Sequence, residues 1–507
     1  MLRRCSGDKP IEFINKRNMK LQDLIPNQEG QEITTTKVID DLKQHRYIDQ
    51  PDVDAAWKAI DPNKHDIMNP LIRKDKWVKV DAENNTSNTV DVTSGGENNG
   101  GETRREKVAR IAVAIQKLII KRAVSFCFGN APEYNASPGD KSEQSVMYAF
   151  KRILADVKCN ALNRKLSKAL FGFKEVAEYW YTVEKPNAKY GFDSAAKVRC
   201  AIFSPKFGDT LYPYFDATGD MVAFSRSYSR KVGNESVNYF ETWTDEEHWL
   251  WSDGENGMTV VEGYPKPVAI GKIPIVFGHQ PEFETEDVNN LVDRLETLLS
   301  NFADTNDYHA SPKIFVTGQI NGWSKKGESG AVIEGEDGAT MQYVSWQNAP
   351  ESVKLEIETL LKLIYTITQT PDISWDAVKG LNVSGVALKL LFMDAHLKVQ
   401  DKCEIFDDYL ARRSNIILAL IGLMNGQLAK ACDTIEIEPK IVPYIITSDL
   451  DDANYWMTVN GNKPLISQEE SVAMAGISKD PEGTMEKLNA ASTAEMSALF
   501  NEPVLDA

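Results

Sequence analysis

The chain has 507 residues, more than one hydrophobic core ordinarily serves, so roughly two to four domains are expected. Lys and Arg number 57 against 74 Asp and Glu, a net charge of −17 that argues against a protein gripping nucleic acid by neutralising its phosphates. The six cysteines include no C-x-x-C pair, which excludes zinc-ribbon and thioredoxin-type sites and leaves reduced thiols as their reading.

Residues 1 to 90 are polar, with one amphipathic stretch at TKVIDDLKQH, and no apolar signal-type region opens the chain. DVTSGGENNGGETRREK, residues 91–107, reads as a flexible linker. VARIAVAIQKLIIKRAVSF (108–126) and SEQSVMYAFKRILADVKC (142–159) have helical periodicity. From 177 to 278 the texture changes to short Val-, Tyr-, Phe- and Trp-rich runs separated by turns such as DATGD and DGENG, which predicts an antiparallel meander.

A helix is predicted over 285–308 from the spacing of Val288, Leu291, Leu295, Leu298 and Phe302, with Thr285 as its N-cap. Three short strands are expected within 311–349. A second helix is predicted over 351–369 from Val353, Ile357, Leu360, Ile364 and Ile367, ended by Pro371. After an irregular stretch, Ser384 is read as the cap of a third helix, with an apolar seam from Leu388 through Phe392, Ala395, Val399, Cys403 and Phe406 to Leu410. NIILALIGLM (415–424) is the most apolar run and about half of what a bilayer requires, so a soluble, non-secreted protein is expected. TIEIEP (434–439) is a strand candidate, and the tail from Asp433 holds fourteen acids against four lysines.

Catalytic motifs are absent: there is no G-x-x-x-x-G-K-[ST], G-x-S-x-G or H-E-x-x-H, and the histidines show no metal-ligand spacing. No cofactor, no metal and no enzymatic activity are expected. The sharper signal lies between Glu282 and Asp307, where eight acids accompany one base, Arg294. This is either a solvated face opposite the apolar seam or a surface facing a polyanion that must not adhere, since like charge beside phosphate is repulsive.

The order of elements, the Ile-Pro step at 273–274 with its flanking apolar residues, the stretch QTPDIS…LNVSGVALKLLFMDAHLKVQDKCEIF (369–406), and LIS-x-E at 465–469 followed by KDPEGTMEKL together resemble a portal protein of tailed double-stranded DNA bacteriophages, siphophage type. The resemblance spans roughly residues 105 to 490. It implies an α+β, multidomain subunit assembled as a homo-oligomeric ring of twelve at one capsid vertex of the virion, built in the host cytoplasm. Its parts would be an N-terminal segment (1–104), a β-rich and helical wing (105–284), a stem helix (285–310), a small α/β clip (311–349), a second stem helix (350–370), a tunnel loop (371–384), a long wing helix and strand (385–448), and a helical crown with the tail (449–507).

On that resemblance, double-stranded DNA is packaged, retained and ejected through the channel. The terminase large subunit supplies ATP hydrolysis, a head-tail adaptor docks later, and major capsid and scaffolding proteins are further partners, with no membrane. The tunnel-loop candidates are Asp372, Ser374, Trp375, Asp376, Lys379 and Asn382. Lys379 would touch phosphates transiently, and Trp375 would brace the loop, with packing inside the subunit as the alternative for both. The channel-lining acids would be Glu286, Asp293, Glu296, Asp304 and Asp307, and the clip contacts Trp323, Lys325 and Lys326. Another head-tail connector or minor capsid protein, or a hydrolase with a dispersed site, stands beside this reading.

Overall fold

The computed structural model describes residues 20–24, 34–79, 103–254, 257–309, 313–317, 320–322, 334–335, 338, 340–344, 349–372 and 392–444, with shorter pieces at 458, 467–468, 470, 483–485 and 487–492. The chain divides into two units, Met1–Ile373 with Met393–Tyr444, and Ser374–Phe392 with Ile445–Ala507.

In the larger unit, the amphipathic N-terminal stretch forms helices. A single turn, α1 (Leu21–Leu24), is followed by α2 (Thr35–Gln44) and α3 (Val53–Ile60). Asp52 caps α3 by accepting from the Ala55 N–H at 2.9 Å. Strand β1 (Lys76–Lys79) pairs antiparallel with β2 (Thr103–Glu106), Trp77 opposite Arg105. The end of the expected linker is therefore a strand rather than flexible chain.

Helix α4 (Ile115–Phe128) starts seven residues later than the periodicity from 108 suggested, for a reason that lies in the site described below. Strand β3 (Glu133–Asn135) leads to α5 (Lys141–Asp156) and α6 (Cys159–Phe173). The expected meander is in fact two sheets. Strands β4 (Glu175–Asn187) and β5 (Ser194–Phe203) form a hairpin. Next come β6 (Thr210–Phe215), which was not anticipated, β7 (Met221–Val232), β8 (Glu235–Trp243), β9 (Glu247–Gly254), β10 (Gly257–Val260), β11 (Lys266–Pro267) and β12 (Ile275–His279). One sheet has the order β12-β4-β5 and the other β10-β9-β8-β7-β6, with β11 added on β9.

Alternation of side chains across a strand gives the larger sheet two buried faces. Leu211, Phe224 and Trp243 face Ala177, Phe203 and Ile275 of the smaller sheet. Tyr212, Phe240 and Trp251 point the other way and are covered by Leu21, Ile39 and Leu42 from α1 and α2. The polar N-terminal segment thus supplies half of a core. Arg46 secures it, donating to the buried Glu175 carboxylate at 2.8 Å and also to the Leu211 carbonyl.

Helix α7 (Asn289–His309) and α8 (Ala349–Ile367) flank a small β insert. The insert's described strands are four rather than three: β13 (Lys313–Thr317), β14 (Ile320–Gly322), β15 (Glu334–Gly335) and β16 (Thr340–Val344), paired β13 with β16 and β14 with β15. Thr285 makes no side-chain cap; it is buried, and the Glu286 carboxylate instead accepts from the Phe283 N–H at 2.9 Å.

The third helix, α9 (Met393–Met424), has 32 residues, about 48 Å at 1.5 Å per residue. It extends past Leu410, where the predicted seam stops, because NIILALIGLM continues its buried face, while 384–391 lie outside the described residues. Helix α10 (Ala429–Thr434) takes the first residue of the predicted TIEIEP strand, and β17 (Glu438–Lys440), which overlaps that prediction only at Glu438 and Pro439, pairs with β3. Among the described residues no helix is long and apolar enough to cross a membrane. In the smaller unit, Ser467 and Glu470 form a capping box: the Ser467 hydroxyl accepts from the Glu470 N–H and the Glu470 carboxylate from the Ser467 N–H, each at 3.1 Å.

At the centre of the larger unit, Arg413 of α9 is fully buried. It donates to Glu178 of β4 at 3.0 Å and to Asn163 of α6 at 2.8 Å, and Trp180 Nε1 donates to the same carboxylate at 3.0 Å. Arg413→Ala strands a buried carboxylate and should lower stability by about 3–5 kcal/mol, seen as an earlier urea-unfolding midpoint by Trp fluorescence. Replacing Glu178 and Arg413 together by Leu should recover most of that loss.

Candidate functional site

The site is the antiparallel pair α7 and α8 with the chain that holds it. Val288, Val292, Leu295 and Leu298 meet Leu360 and Ile364 across the pair, and Ile115 and Ile119 of α4 complete this core. The predicted seam is therefore inward except at Ile367, which is 46% exposed.

A polar ladder runs down another face of α7. Residues 109 to 113 are extended, and alternate backbone N–H groups donate to side chains on successive turns of the helix. Val113 donates to Glu296 at 2.8 Å, Ile111 to Ser300 at 2.9 Å, and Ala109 to Asp304 at 2.7 Å. Alternate residues of an extended chain repeat about every 6.6 Å and i, i+4 residues of a helix about every 6 Å, so the two periods match over three steps. Bonding to α7 keeps these residues out of α4, which explains its late start.

The N-terminal segment reinforces both ends of the ladder. His65 Nδ1 lies 2.6 Å from Glu296, and both side chains are buried. Burial alone would depress the His65 pKa, but the Glu296 hydrogen bond and charge, with the Ala59 carbonyl, raise it above 6.5. Arg73 donates to Asp304 at 2.7 Å, to Asn301 at 2.9 Å and to the Ala109 carbonyl at 2.7 Å. Burial, followed by the charge of Glu296, pushes the Asp293 carboxyl up.

The root of α8 is held by a buried lysine. The helix ends in a Schellman motif: Gln369 takes the left-handed conformation at φ 47°, its N–H reaches Thr366 O, and the Thr370 N–H reaches Tyr365 O. Lys398 of α9, 3% exposed, donates to the Thr368 carbonyl at 2.7 Å and pairs with Glu284 at 2.6 Å. Lys402 joins the same carboxylate at 3.0 Å. One ammonium group thus ties the approach to α7 to the exit from α8. Beyond that exit, Arg122 of α4 donates to the Pro371 carbonyl at 2.9 Å, lies 3.8 Å from Asp372, and stacks over Tyr365.

The expected channel acids therefore divide. Glu286, Asp293 and Asp307 are exposed. Glu296 is 1% exposed, and Asp304 is consumed by Arg73 and the Ala109 N–H, so neither presents a free carboxylate to an open surface. Of the loop candidates, Asp372 is held by Arg122, while Ser374, Trp375, Asp376, Lys379 and Asn382 lie outside the described residues, as do the clip candidates Trp323, Lys325 and Lys326. Sequence reasoning missed His65, Arg73, Arg122 and Lys398. Only the ladder left a trace, in the i, i+4, i+8 spacing of Glu296, Ser300 and Asp304.

Among the described residues no group of three or more His, Cys, Asp or Glu is placed to hold a metal ion. The buried Cys127 thiol is pushed up to about 12 by burial, which makes it a poor nucleophile.

Comparison with known proteins places these elements in a family context. Residues 60–498 match the sequence profile of a family described as phage portal protein, SPP1 Gp6-like. No curated protein matches the chain. Among solved structures, a chain from the neck of an empty GTA particle computed with C6 symmetry is 11% identical over 72% of this chain and 89% of its own, with a TM-score of 0.37. A chain from the virion of a native gene transfer agent particle is 12% identical over 72% and 88%, with a TM-score of 0.34.

His65 supplies a pH-dependent test. A pKa raised in the folded state stabilises fully below the unfolded value of 6.5 and ceases to do so as pH climbs through the folded value. The stability difference between the wild type and His65→Gln should be largest below pH 6.5 and shrink above it, as read from urea midpoints across pH. A difference independent of pH would remove the charged His65–Glu296 pair from the account.

Proposed function

We propose, from the premise that the chain belongs to the SPP1 Gp6-like family of phage portal proteins, that its α7–α8 pair is the stem of a ring-shaped DNA conduit in the virion. The observation that carries this is the family match over residues 60–498, within which the helix–small β–helix unit falls. The portal role itself is that of the family; the ring, its lining and its partners are our reading.

Twelve subunits are proposed at one capsid vertex. In that arrangement Glu286, Asp293 and Asp307 face the channel, and repulsion between carboxylates and phosphate keeps DNA from adhering as it is packaged and ejected. Leu355 and Leu363, 66% and 44% exposed on α8, together with Ile367, form an apolar stripe that a neighbouring subunit would cover. Residues 371–384 serve as the tunnel loop, with its root oriented by Arg122 and Lys398. The insert at 311–349 meets the terminase large subunit and later the head-tail adaptor, and hydrolysis of ATP stays with the terminase. Residues 449–507 form the crown, and capsid and scaffolding proteins surround the wing as the ring assembles in the host cytoplasm.

Native mass spectrometry with negative-stain imaging tests the assembly. Twelve copies of a 56.7 kDa chain give a ring of about 680 kDa with a central hole, whereas a closed dimer or tetramer without a channel would sink the conduit reading. A second measurement addresses the lining. Rings carrying Glu286→Gln, Asp293→Asn and Asp307→Asn should assemble normally but retain double-stranded DNA at low salt on the order of tenfold more strongly than wild type. Unchanged retention would place those acids away from the DNA.

A further inference from the structure

A cleft of about 770 Å3 opens beside the root of α8, walled by α9 and the chain that follows β12. Its lining includes the exposed carboxylates Glu282, Asp287, Asp401, Glu404 and Asp408. The three cations that also line it are already engaged. Lys398 and Lys402 pair with Glu284 at 2.6 and 3.0 Å, and Arg412 donates to the Ile275 carbonyl at 3.0 Å. Half-buried Phe215, Phe277 and Ile405 give the cleft an apolar component.

Among the described residues, three buried polar atoms in the lining have no hydrogen-bond partner: Gln280 Oε1, Tyr409 Oη and Glu284 Oε2, of which only the last has a charge beside it, Lys402 Nζ at 3.0 Å. The Gln280 amide is oriented, because Nε2 donates to the Glu282 carbonyl at 2.8 Å, so the open atom is an acceptor. A buried acceptor left unmet is costly, and folded proteins ordinarily supply it with a donor. Negative charge, an unmet acceptor and apolar surface together select a cationic, donor-bearing and partly apolar ligand.

The chain itself contains such a ligand. Residues 1–19 carry five Lys and Arg against two acids, a local charge of +3 in a chain of −17, and FINKR at 13–17 sets Phe13 and Ile14 beside Lys16 and Arg17. The segment leads into α1, where Leu21 packs on Tyr212 of β6. Strand β6 ends at Phe215 in the cleft lining, three residues and about 10 Å from Tyr212. Lys16 lies five residues before Leu21 and Phe13 eight, spans of up to about 17 and 27 Å in extended chain, enough to reach it. We infer that this cleft is the docking site of the chain's own basic N-terminal segment, with Lys16 and Arg17 at the rim carboxylates and Phe13 and Ile14 against the apolar lining. The inference goes beyond the conduit reading and holds equally for a single subunit.

Zero-length carbodiimide cross-linking of the full chain, prepared as a mixture of 15N-labelled and unlabelled subunits, tests it. Lys16 should link to Asp401, Glu404 or Asp408, in light–light and heavy–heavy products. In the variant Asp401→Asn/Glu404→Gln/Asp408→Asn, all exposed helix-surface positions, those links should vanish. Tryptic cleavage after Arg17 should then quicken on the order of tenfold, with circular dichroism and native mass unchanged. Links from Lys16 scattered over other acids, or an Arg17 cleavage rate indifferent to the variant, would overturn the docking. Heavy–light products would overturn its assignment to the same chain.

Discussion

The match between the repeat of an extended chain and the repeat of a helix holds the site together. Residues 109, 111 and 113 offer an N–H every second residue, and Glu296, Ser300 and Asp304 offer an acceptor every fourth, so one strand of backbone is satisfied along the length of α7. A segment bonded in this way cannot also be helical. The start of α4, the position of α7 against it, and the engagement of the Glu296 and Asp304 carboxylates all follow from that one registration.

Buried charge serves position in this protein more than net stability. Arg413 with Glu178, Arg46 with Glu175, His65 with Glu296 and Lys398 with Glu284 each join elements distant in sequence. The desolvation of such pairs offsets much of their attraction, while breaking one leaves an uncompensated charge inside. Their effect is therefore to penalise alternative arrangements. Lys398 has the furthest reach, because a single ammonium group fixes the chain before α7, the end of α8 and the long helix α9 to one another.

Much of this architecture was legible beforehand. The 3-4 spacing of Val288 through Leu298 and of Val353 through Ile364 located both α7 and α8 to within a few residues, since an amphipathic helix must turn its apolar residues to one side. The runs from 177 to 278 were read as strands, for alternation and turn residues are local signals. The division of those strands into two sheets was not legible. Nothing near β12 states that it returns to β4 across nearly a hundred residues. The polar N-terminal segment gave no sign that α1 and α2 would roof the larger sheet, because a few apolar residues on a short helix acquire meaning only from the surface they meet.

The acids of α7 mark the same boundary within the site. Sequence by itself determined that a helix stood there, that its inner seam was apolar, and that carboxylates crowded its other faces. Glu286, Asp293 and Asp307 remained solvent-facing, whereas Glu296 and Asp304 were withdrawn by His65, Arg73 and the 109–113 backbone. Periodicity is a property of neighbours three and four residues apart, so the chain alone carries it. The partner of a carboxylate lay as many as 231 residues away, so only the tertiary structure decided which charges face water and which hold the fold.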